Sequence, residues 1–267
     1  MKLGLIQICG SNNVEHNLNK IEPLLRQAAE QGAQLVLLPE NFALMPNHSA
    51  EKLANQERQG QGKVQAWLSR VSAELNIWIV AGSFPIQSDD IKRPYARCLI
   101  YNSQGQLDSY YDKIHLFDVA VSEQEQYLES ADTQAGEQPQ IIEVAGLKIG
   151  ISICYDLRFP ELYRYFQSQG VELALVPSAF TYKTGQAHWE LLLKTRAVEN
   201  LFFVAAANQT GIHANGRQTY GHSLAIDPWG KVLASLEAEE GLLVVNIEQS
   251  KLATIRRRFP AHLHRKI

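Results

Sequence analysis

The chain has 267 residues, 45% hydrophobic and 20% charged, with a formal net charge of −3. That is an ordinary globular composition with room for one large α/β core. It lacks the basic face that phosphate binding needs, so nucleic acid is not expected as a partner, and the short Arg256-Arg257-Arg258 run reads as a solvated helix face. Cys9, Cys98 and Cys154 are scattered and odd in number, with no CxxC pair, which points to a reducing cytoplasm rather than a disulfide framework. The first apolar run is too short for a signal h-region or a membrane span, so no membrane partner is expected and the run reads as a first core strand.

In chain order, residues 3–8 read as that buried strand. Residues 17–32 read as a helix, with Leu18, Ile21, Leu24, Leu25, Ala28 and Ala29 spaced for one face and Gly32 as the stop. Residues 34–39 are a second buried strand, and Glu40 follows at once. An acid at the C-terminal end of a buried strand is a site position in α/β folds. Residues 62–75 predict a helix with Val64, Trp67, Leu68, Val71 and Leu75 on one stripe. Residues 77–84 predict a strand, and 96–101 with 106–112 a hairpin about Ser103-Gln104-Gly105. Lys113 follows that hairpin. The polar, aperiodic stretch 119–140 is expected to be an active-site loop.

A second hairpin, 140–144 with 147–153, turns at Ala145-Gly146 and ends at Cys154. Pro160 then opens a helix that runs to Gly170. A thiol at such a strand end meets backbone N–H groups and a helix N-terminus that can lower its pKa and hold an oxyanion. The competing reading is a buried structural cysteine. The remaining expectations are a strand at 173–177 with Ser178-Ala179-Phe180 at its end, a helix at 188–200, a strand at 202–207 and a glycine-bearing loop at 208–220. Strands at 222–227, 232–235 and 241–247 and a helix at 248–258 complete the chain. No repeat or linker breaks the pattern, so residues 1–267 are expected to form a single domain. Its halves each open strand–helix–strand, which predicts two sheets with helices outside.

No GxGxxG, P-loop, HExxH or GxSxG occurs, and no His/Asp/Glu cluster has metal-ligand spacing, so no cofactor and no metal are expected. What remains is a thiol in need of a base. His115, His188 and His222 are candidates for a Cys–His pair, each more often a packing histidine. Glu40 and Lys113 are the other option, since both sit at predicted strand ends, as Cys154 does. A free thiol has a pKa of roughly 8.5, so a carboxylate must take its proton during attack. Lysine and the backbone N–H of Tyr155 can support the oxyanion, and the protonated carboxyl can return a proton to the leaving nitrogen. Glu129 is a second carboxylate that can orient the lysine or the substrate amide.

Glu40, Lys113 and Cys154 lie in three blocks: Leu37-Leu38-Pro39-Glu40, Tyr111-Asp112-Lys113-Ile114-His115-Leu116, and Gly150-Ile151-Ser152-Ile153-Cys154-Tyr155-Asp156-Leu157-Arg158-Phe159-Pro160-Glu161. In that order the chain resembles the nitrilase superfamily of carbon–nitrogen hydrolases. The likeness continues through Pro177-Ser178-Ala179-Phe180, Ala187-His188-Trp189-Glu190, Arg196-Ala197-Val198-Glu199-Asn200, Tyr220-Gly221-His222-Ser223 and Asp227-Pro228-Trp229-Gly230, nearly the whole chain. The resemblance implies an α/β fold, a four-layer α-β-β-α sandwich of two mixed sheets with outer helices. It implies Cys154 as the nucleophile of a thioester, Glu40 as base and acid, Lys113 as oxyanion support, and Glu129 as a second glutamate. It also implies a homodimer or higher homo-oligomer built through the helical face after the nucleophile.

Within the superfamily the chain is similar to omega-amidases and deaminated glutathione amidases, and its 211–222 loop looks closer to the latter. The expected function is therefore hydrolysis of the side-chain primary amide of a small dicarboxylate-like molecule, deaminated glutathione favoured, to a carboxylate and ammonia. Omega-amidase action on α-ketoglutaramate or α-ketosuccinamate, and N-carbamoyl or nitrile hydrolysis, are the alternatives; a catalytically silent scaffold is the reading from a different class. An acid group remote from the scissile amide suits a guanidinium, which meets carboxylates bidentately. Arg158 and Arg217 are the candidates, with Arg158 leaning toward a structural salt bridge beneath the nucleophile turn and Arg217 equally readable as a surface charge. Phe180, Tyr182, His188 and Trp189 are candidates to wall the pocket, with a core role for Trp189 equally open.

Overall fold

The apolar runs pair into two six-stranded sheets. The structure is a computed structural model that describes residues 1–121 and 126–266. In the first sheet β1 (Lys2–Gln7), β2 (Leu35–Leu38) and β3 (Trp78–Ile86) run parallel, and β4 (Tyr95–Tyr101) and β5 (Leu107–Asp112) continue antiparallel beyond β3. A small hairpin of β6 (Asp118–Ala120) and β7 (Gln126–Leu128) stands apart from both sheets. The second sheet repeats the plan. Strand β8 (Gln140–Val144) is antiparallel to β9 (Leu147–Ile151), and β9, β10 (Leu173–Leu175) and β11 (Phe203–Ala206) are parallel. After a hairpin of β12 (Thr210–Ile212) and β13 (Gln218–Tyr220), strands β14 (Leu224–Ile226) and β15 (Val232–Ser235) close that sheet antiparallel. Finally β16 (Gly241–Asn246) returns to the first sheet beside β1.

The two-residue period of a strand, with both faces covered, explains why β2 is apolar throughout and β1 is apolar between Lys2 and Gln7. Leu3, Leu5, Leu35, Leu37 and Val80 face the second sheet and share a core with Ile149, Ile151, Leu173 and Leu175. Ile6, Val36, Leu38 and Ile79 face outward onto α1 (Val14–Glu30) and α3 (Lys63–Leu75). Helices α4 (Pro160–Ser168) and α5 (Tyr182–Asn200) cover the other outer face through Tyr163, Phe166, Trp189 and Leu193. At Gly150 the sheet and α4 touch so closely that a Cβ would stand 2.7 Å from the Phe166 ring. The layers are thus helix, sheet, sheet, helix, as the resemblance implies.

Four features depart from the sequence reading. Helix α5 begins at Tyr182 rather than at residue 188, because its polar first turns carry no hydrophobic stripe. Helix α2 (Ser49–Asn55) is not foreseen, and it buries no side chain. The 119–140 stretch is not structureless: it holds the β6–β7 hairpin and a 3₁₀ turn at Glu129–Ala131, with part of the expected loop, residues 122–125, outside the described residues. α6 (Gln249–Arg258) carries the arginine run, but Arg256 is not on a solvated face; it donates to the carbonyls of Leu201 and Val171.

Candidate active site

Parallel strands that share a direction deliver their C-terminal ends to one rim. Glu40 follows β2, Lys113 follows β5, Cys154 follows β9 and Ala179-Phe180 follow β10, and all of them line one pocket of ≈ 860 Å³. Glu40 is 4% exposed. Its Oε1 accepts from Lys113 Nζ at 2.7 Å and its Oε2 accepts from the backbone N–H of Ala179 at 2.7 Å. The turn beneath it is gripped from both sheets. Ser83 Oγ accepts from the N–H of Asn41 at 3.0 Å, and Gln209 Nε2 donates to the carbonyl of Glu40 at 3.0 Å.

Lys113 is 1% exposed and sits between two acids. Besides Glu40 it meets Glu129, with Nζ 2.8 Å from Oε2 and 3.1 Å from Oε1. Glu129 Oε2 also accepts from the N–H of Phe117 at 2.7 Å, which fixes the carboxylate. Both Glu129 oxygens thus lie within hydrogen-bond distance of the lysine ammonium.

Cys154 opens a 3₁₀ turn, Cys154–Arg158, with φ of 47°, a left-handed conformation that a side chain rarely adopts. Asp156 holds that turn. Fully buried, it accepts from the N–H of Ile153 at 2.8 Å, the hydroxyl of Tyr111 at 2.7 Å and the N–H of His115 at 3.0 Å, and it faces His115 Nδ1 at 2.7 Å. Asp156 was not among the expected site residues. A carboxylate two positions past the candidate cysteine at a strand end is the signal that could have found it.

Burial alone would raise the pKa of Glu40. The charge and hydrogen bond of Lys113 outweigh it, aided by the field of Arg217, and hold the carboxyl below its ordinary range. Burial likewise works against the Lys113 cation, but Glu129 and Glu40 prevail and hold it above the ordinary lysine value. For Cys154, burial and the Glu40 carboxylate push the thiol well above its ordinary value, and Lys113 offsets this only in part. The resting site is a thiol beside a carboxylate, with an ammonium ion alongside. The expected lowering of the thiol pKa does not occur. The N–H of Cys154 is spent on the carbonyl of Pro177 at 2.9 Å, and α4 starts only at Pro160.

The histidines stay outside. His115 is bound to Asp156 and stacked on Phe159 with ring centroids 3.6 Å apart, so it is no base for the thiol. His222 bonds the carbonyl of Tyr220 and stacks on that ring. His188 is exposed and does not line the pocket; it lies behind Arg158, with Nδ1 3.3 Å from Nη2. Trp189 is core, its Nε1 donating to the carbonyl of His222. Tyr155, Phe180 and Tyr182 do line the pocket, joined by Phe117, Tyr127 and Leu128 from the β6–β7 region. Arg158 also lines it, its guanidinium 5.4 Å from the Phe180 ring and 5.9 Å from that of Tyr155. The place expected for its salt bridge, beneath the nucleophile turn, is held instead by the hydrogen bond between His115 and Asp156. Arg217 is no plain surface charge: it reaches into the pocket, donates to the carbonyl of Ala179 and lies over the Tyr127 ring at 5.2 Å. Among the described residues no group of His, Cys, Asp and Glu is arranged to hold a metal ion, and no helix is long and apolar enough to cross a membrane.

Residues 2–257 match the family model for carbon-nitrogen hydrolases. The chain belongs to the carbon–nitrogen hydrolase family. This hydrolase is 38% identical to the deaminated glutathione amidase of Yersinia enterocolitica, over 99% of this chain and 92% of that one. It is 36% identical to the omega-amidase of Mus musculus, over 97% of this chain and 92% of that one. Its fold matches the crystal structure of the Caenorhabditis elegans NitFhit protein with a TM-score of 0.92 and 33% identity, covering 99% of this chain and 65% of that longer one. The carbon–nitrogen hydrolase is therefore an enzyme acting on C–N bonds other than peptide bonds, built as two mixed sheets between helices.

Proposed function

We propose that this hydrolase is a cofactor-free amidase that opens the side-chain amide of a dicarboxylate-like small molecule through a Cys154 thioester. The observation that carries the reading is the Glu40 carboxylate, kept ionised by Lys113 and sharing one pocket with a neutral, buried thiol. Glu40 takes the thiol proton as sulfur attacks the amide carbon. Lys113 and the N–H of Tyr155 support the oxyanion. Glu40 then gives its proton to the amide nitrogen, the C–N bond breaks and the amine leaves. A water molecule, deprotonated by Glu40, attacks the thioester, and the acid departs as the thiol is restored.

Deaminated glutathione is the favoured substrate, with the relatives so named and the 211–222 loop as support. Omega-amidase action on α-ketoglutaramate is the second reading, supported by the mouse relative. Their chemistry differs at the nitrogen. The amide nitrogen of α-ketoglutaramate leaves as ammonia, whereas that of deaminated glutathione carries cysteinylglycine, so the expected ammonia is the product of primary amides alone. Both reactions release α-ketoglutarate, which gives one readout for both. Wild type should release it from one or both compounds and Cys154→Ala should be slower by at least about 10³-fold. Turnover retained in that variant, or none in wild type, overturns the proposal. A homodimer is part of the same reading, supported by the exposed apolar Leu191 and Val198 on α5, and a reducing cytoplasm is supported by three free cysteines.

A further inference from the structure

We propose that Arg217 is the receptor for a carboxylate carried by the departing amine, so that the enzyme selects amides bearing an acid group on each side of the scissile bond. The inference rests on the roles given above to Cys154 and Glu40, and it adds a direction to the pocket. The acyl carbon must bond to Sγ of Cys154, so the acyl portion lies along the Cys154–Arg158 turn, where Arg158 stands against Tyr155 and Phe180. The nitrogen must receive its proton from Glu40, so the amine portion leaves past Glu40. Arg217 stands on that side. Its guanidinium donates to the carbonyl of Ala179, whose own N–H is bonded to Glu40 Oε2 at 2.7 Å.

Arg217 is also incomplete. Its Nε is shielded from solvent and has no hydrogen-bond partner among the described residues. Two other pocket cations are already matched with acids, Lys113 with Glu40 and Glu129 and Lys52 with Asp132, and Arg158 stands on the acyl side. Among the described residues Arg217 has the Ala179 carbonyl and the Tyr127 ring but no carboxylate. An edge of guanidinium with a shielded, unmet N–H is built for two parallel bonds to a carboxylate. Space agrees: ≈ 860 Å³ lies toward the upper end of the roughly 300–1,000 Å³ that holds a drug-sized ligand, more than a five-carbon keto-amide fills.

In the reaction, the C–S bond forms and the thiol proton passes to Glu40. That proton then moves to the nitrogen, the C–N bond breaks, and the free amine departs with its carboxylate on Arg217. Water closes the cycle as above, and no other reactant is needed.

The test compares three γ-amides of α-ketoglutarate, made with glycine, with glycinamide and with ammonia, by kcat/KM for α-ketoglutarate release. Wild type is expected to favour the glycine amide over the glycinamide amide by about 10- to 100-fold. Arg217→Gln should collapse that ratio to within about threefold. Arg217 also helps keep Glu40 ionised, but a loss there slows all three amides alike and cancels in the ratio. Arg217→Lys keeps the charge without the paired geometry and should hold an intermediate ratio; it decides the matter should the glutamine variant not fold. A wild type without the preference, or a preference that survives both substitutions, overturns the assignment while leaving Cys154 as nucleophile. Turnover of none of the three amides by wild type sinks the amidase reading and the Arg217 proposal together.

Discussion

The hydroxyl of Tyr111 donates to Oδ2 of Asp156 at 2.7 Å, and this bond ties the strand that delivers the lysine to the turn that delivers the thiol. The other oxygen of Asp156 accepts from the N–H of His115. Tyr111 and His115 flank Lys113 two residues to either side, while the N–H of Ile153, bonded to the same carboxylate, immediately precedes Cys154. Asp156 thus sets the separation of ammonium and sulfur without touching either.

Asparagine at that position keeps the shape but offers one acceptor oxygen and turns an NH2 group toward donors. Asp156→Asn should lose about 2–4 kcal/mol of stability, because Asp156 is fully buried and its partners would be left unmet. Its kcat should fall by about 10- to 100-fold as the strained turn relaxes. Tyr111→Phe removes one bond and should cost about 1 kcal/mol. Thermal unfolding and steady-state rates on both variants check this; a stable Asp156→Asn enzyme with full kcat would show that the carboxylate positions nothing.

Removing the base should make the thiol more acidic. Burial is the first cause of the high Cys154 pKa, and the charge of Glu40 adds to it, while Lys113 pulls the other way. In Glu40→Gln the charge is gone and Lys113 remains. The pH at which the thiolate absorbs near 240 nm, or at which iodoacetamide reacts half-maximally, should therefore drop, while amide turnover falls by about 10³-fold or more. A thiol pKa that holds or climbs in this variant would contradict the proposed coupling.

Glu40 and Cys154 are legible in the sequence because each ends an apolar run, and parallel strands carry such residues to one rim. Lys113 is legible through its family block and Glu129 through the wider family resemblance, more than through periodicity. Partners decided by distant packing are not legible. Nothing near His115 shows that its ring is claimed by Asp156, 41 residues on, and Arg217 meets the carbonyl of Ala179 38 residues earlier in the chain. Helix α2 escapes notice because hydrophobic patterning reveals only helices that bury a face, and this one buries none. Arg256 misleads for the converse reason: its guanidinium is turned inward to carbonyls although its neighbours Arg257 and Arg258 are exposed.

Glu129→Gln tests the second acid. Burial lowers the Lys113 pKa, and Glu129 is the largest of the opposing causes that raise it. A cation whose folded pKa is raised keeps its charge, and the stability tied to it, below the unfolded value of about 10.4 and loses both only as pH climbs through the folded value. Without Glu129 the folded value falls, so the alkaline limb of kcat/KM should move to lower pH. The loss in kcat should be about 10²-fold, with KM changed much less, if the lysine acts, as proposed, on the oxyanion rather than on bound substrate. An alkaline limb at its wild-type position would mean that Glu40 alone holds the lysine charged.

Gly82 tests whether the backbone under the base is as constrained as it looks. It has φ of 45° at an irregularity in the β3–β4 pairing, and a Cβ there would lie 1.8 Å from the carbonyl oxygen of Pro39, the residue before Glu40. Backbone cannot swing aside as a side-chain tip can, so the strand must move. The next residue, Ser83, holds the N–H of Asn41, so that movement pulls on the Glu40 turn from its other side. Gly82→Ala should therefore cost about 3 kcal/mol or more and depress kcat beyond the loss of folded protein. Gly146→Ala is the control: φ is 77° with nothing within 4 Å of the new Cβ, so it should cost about 1 kcal/mol and leave turnover intact. If the two alanines prove equally mild in melting temperature and rate, the close approach at Pro39 does not constrain the base, and the rigidity of the Glu40 turn must come from Ser83 and Gln209 alone.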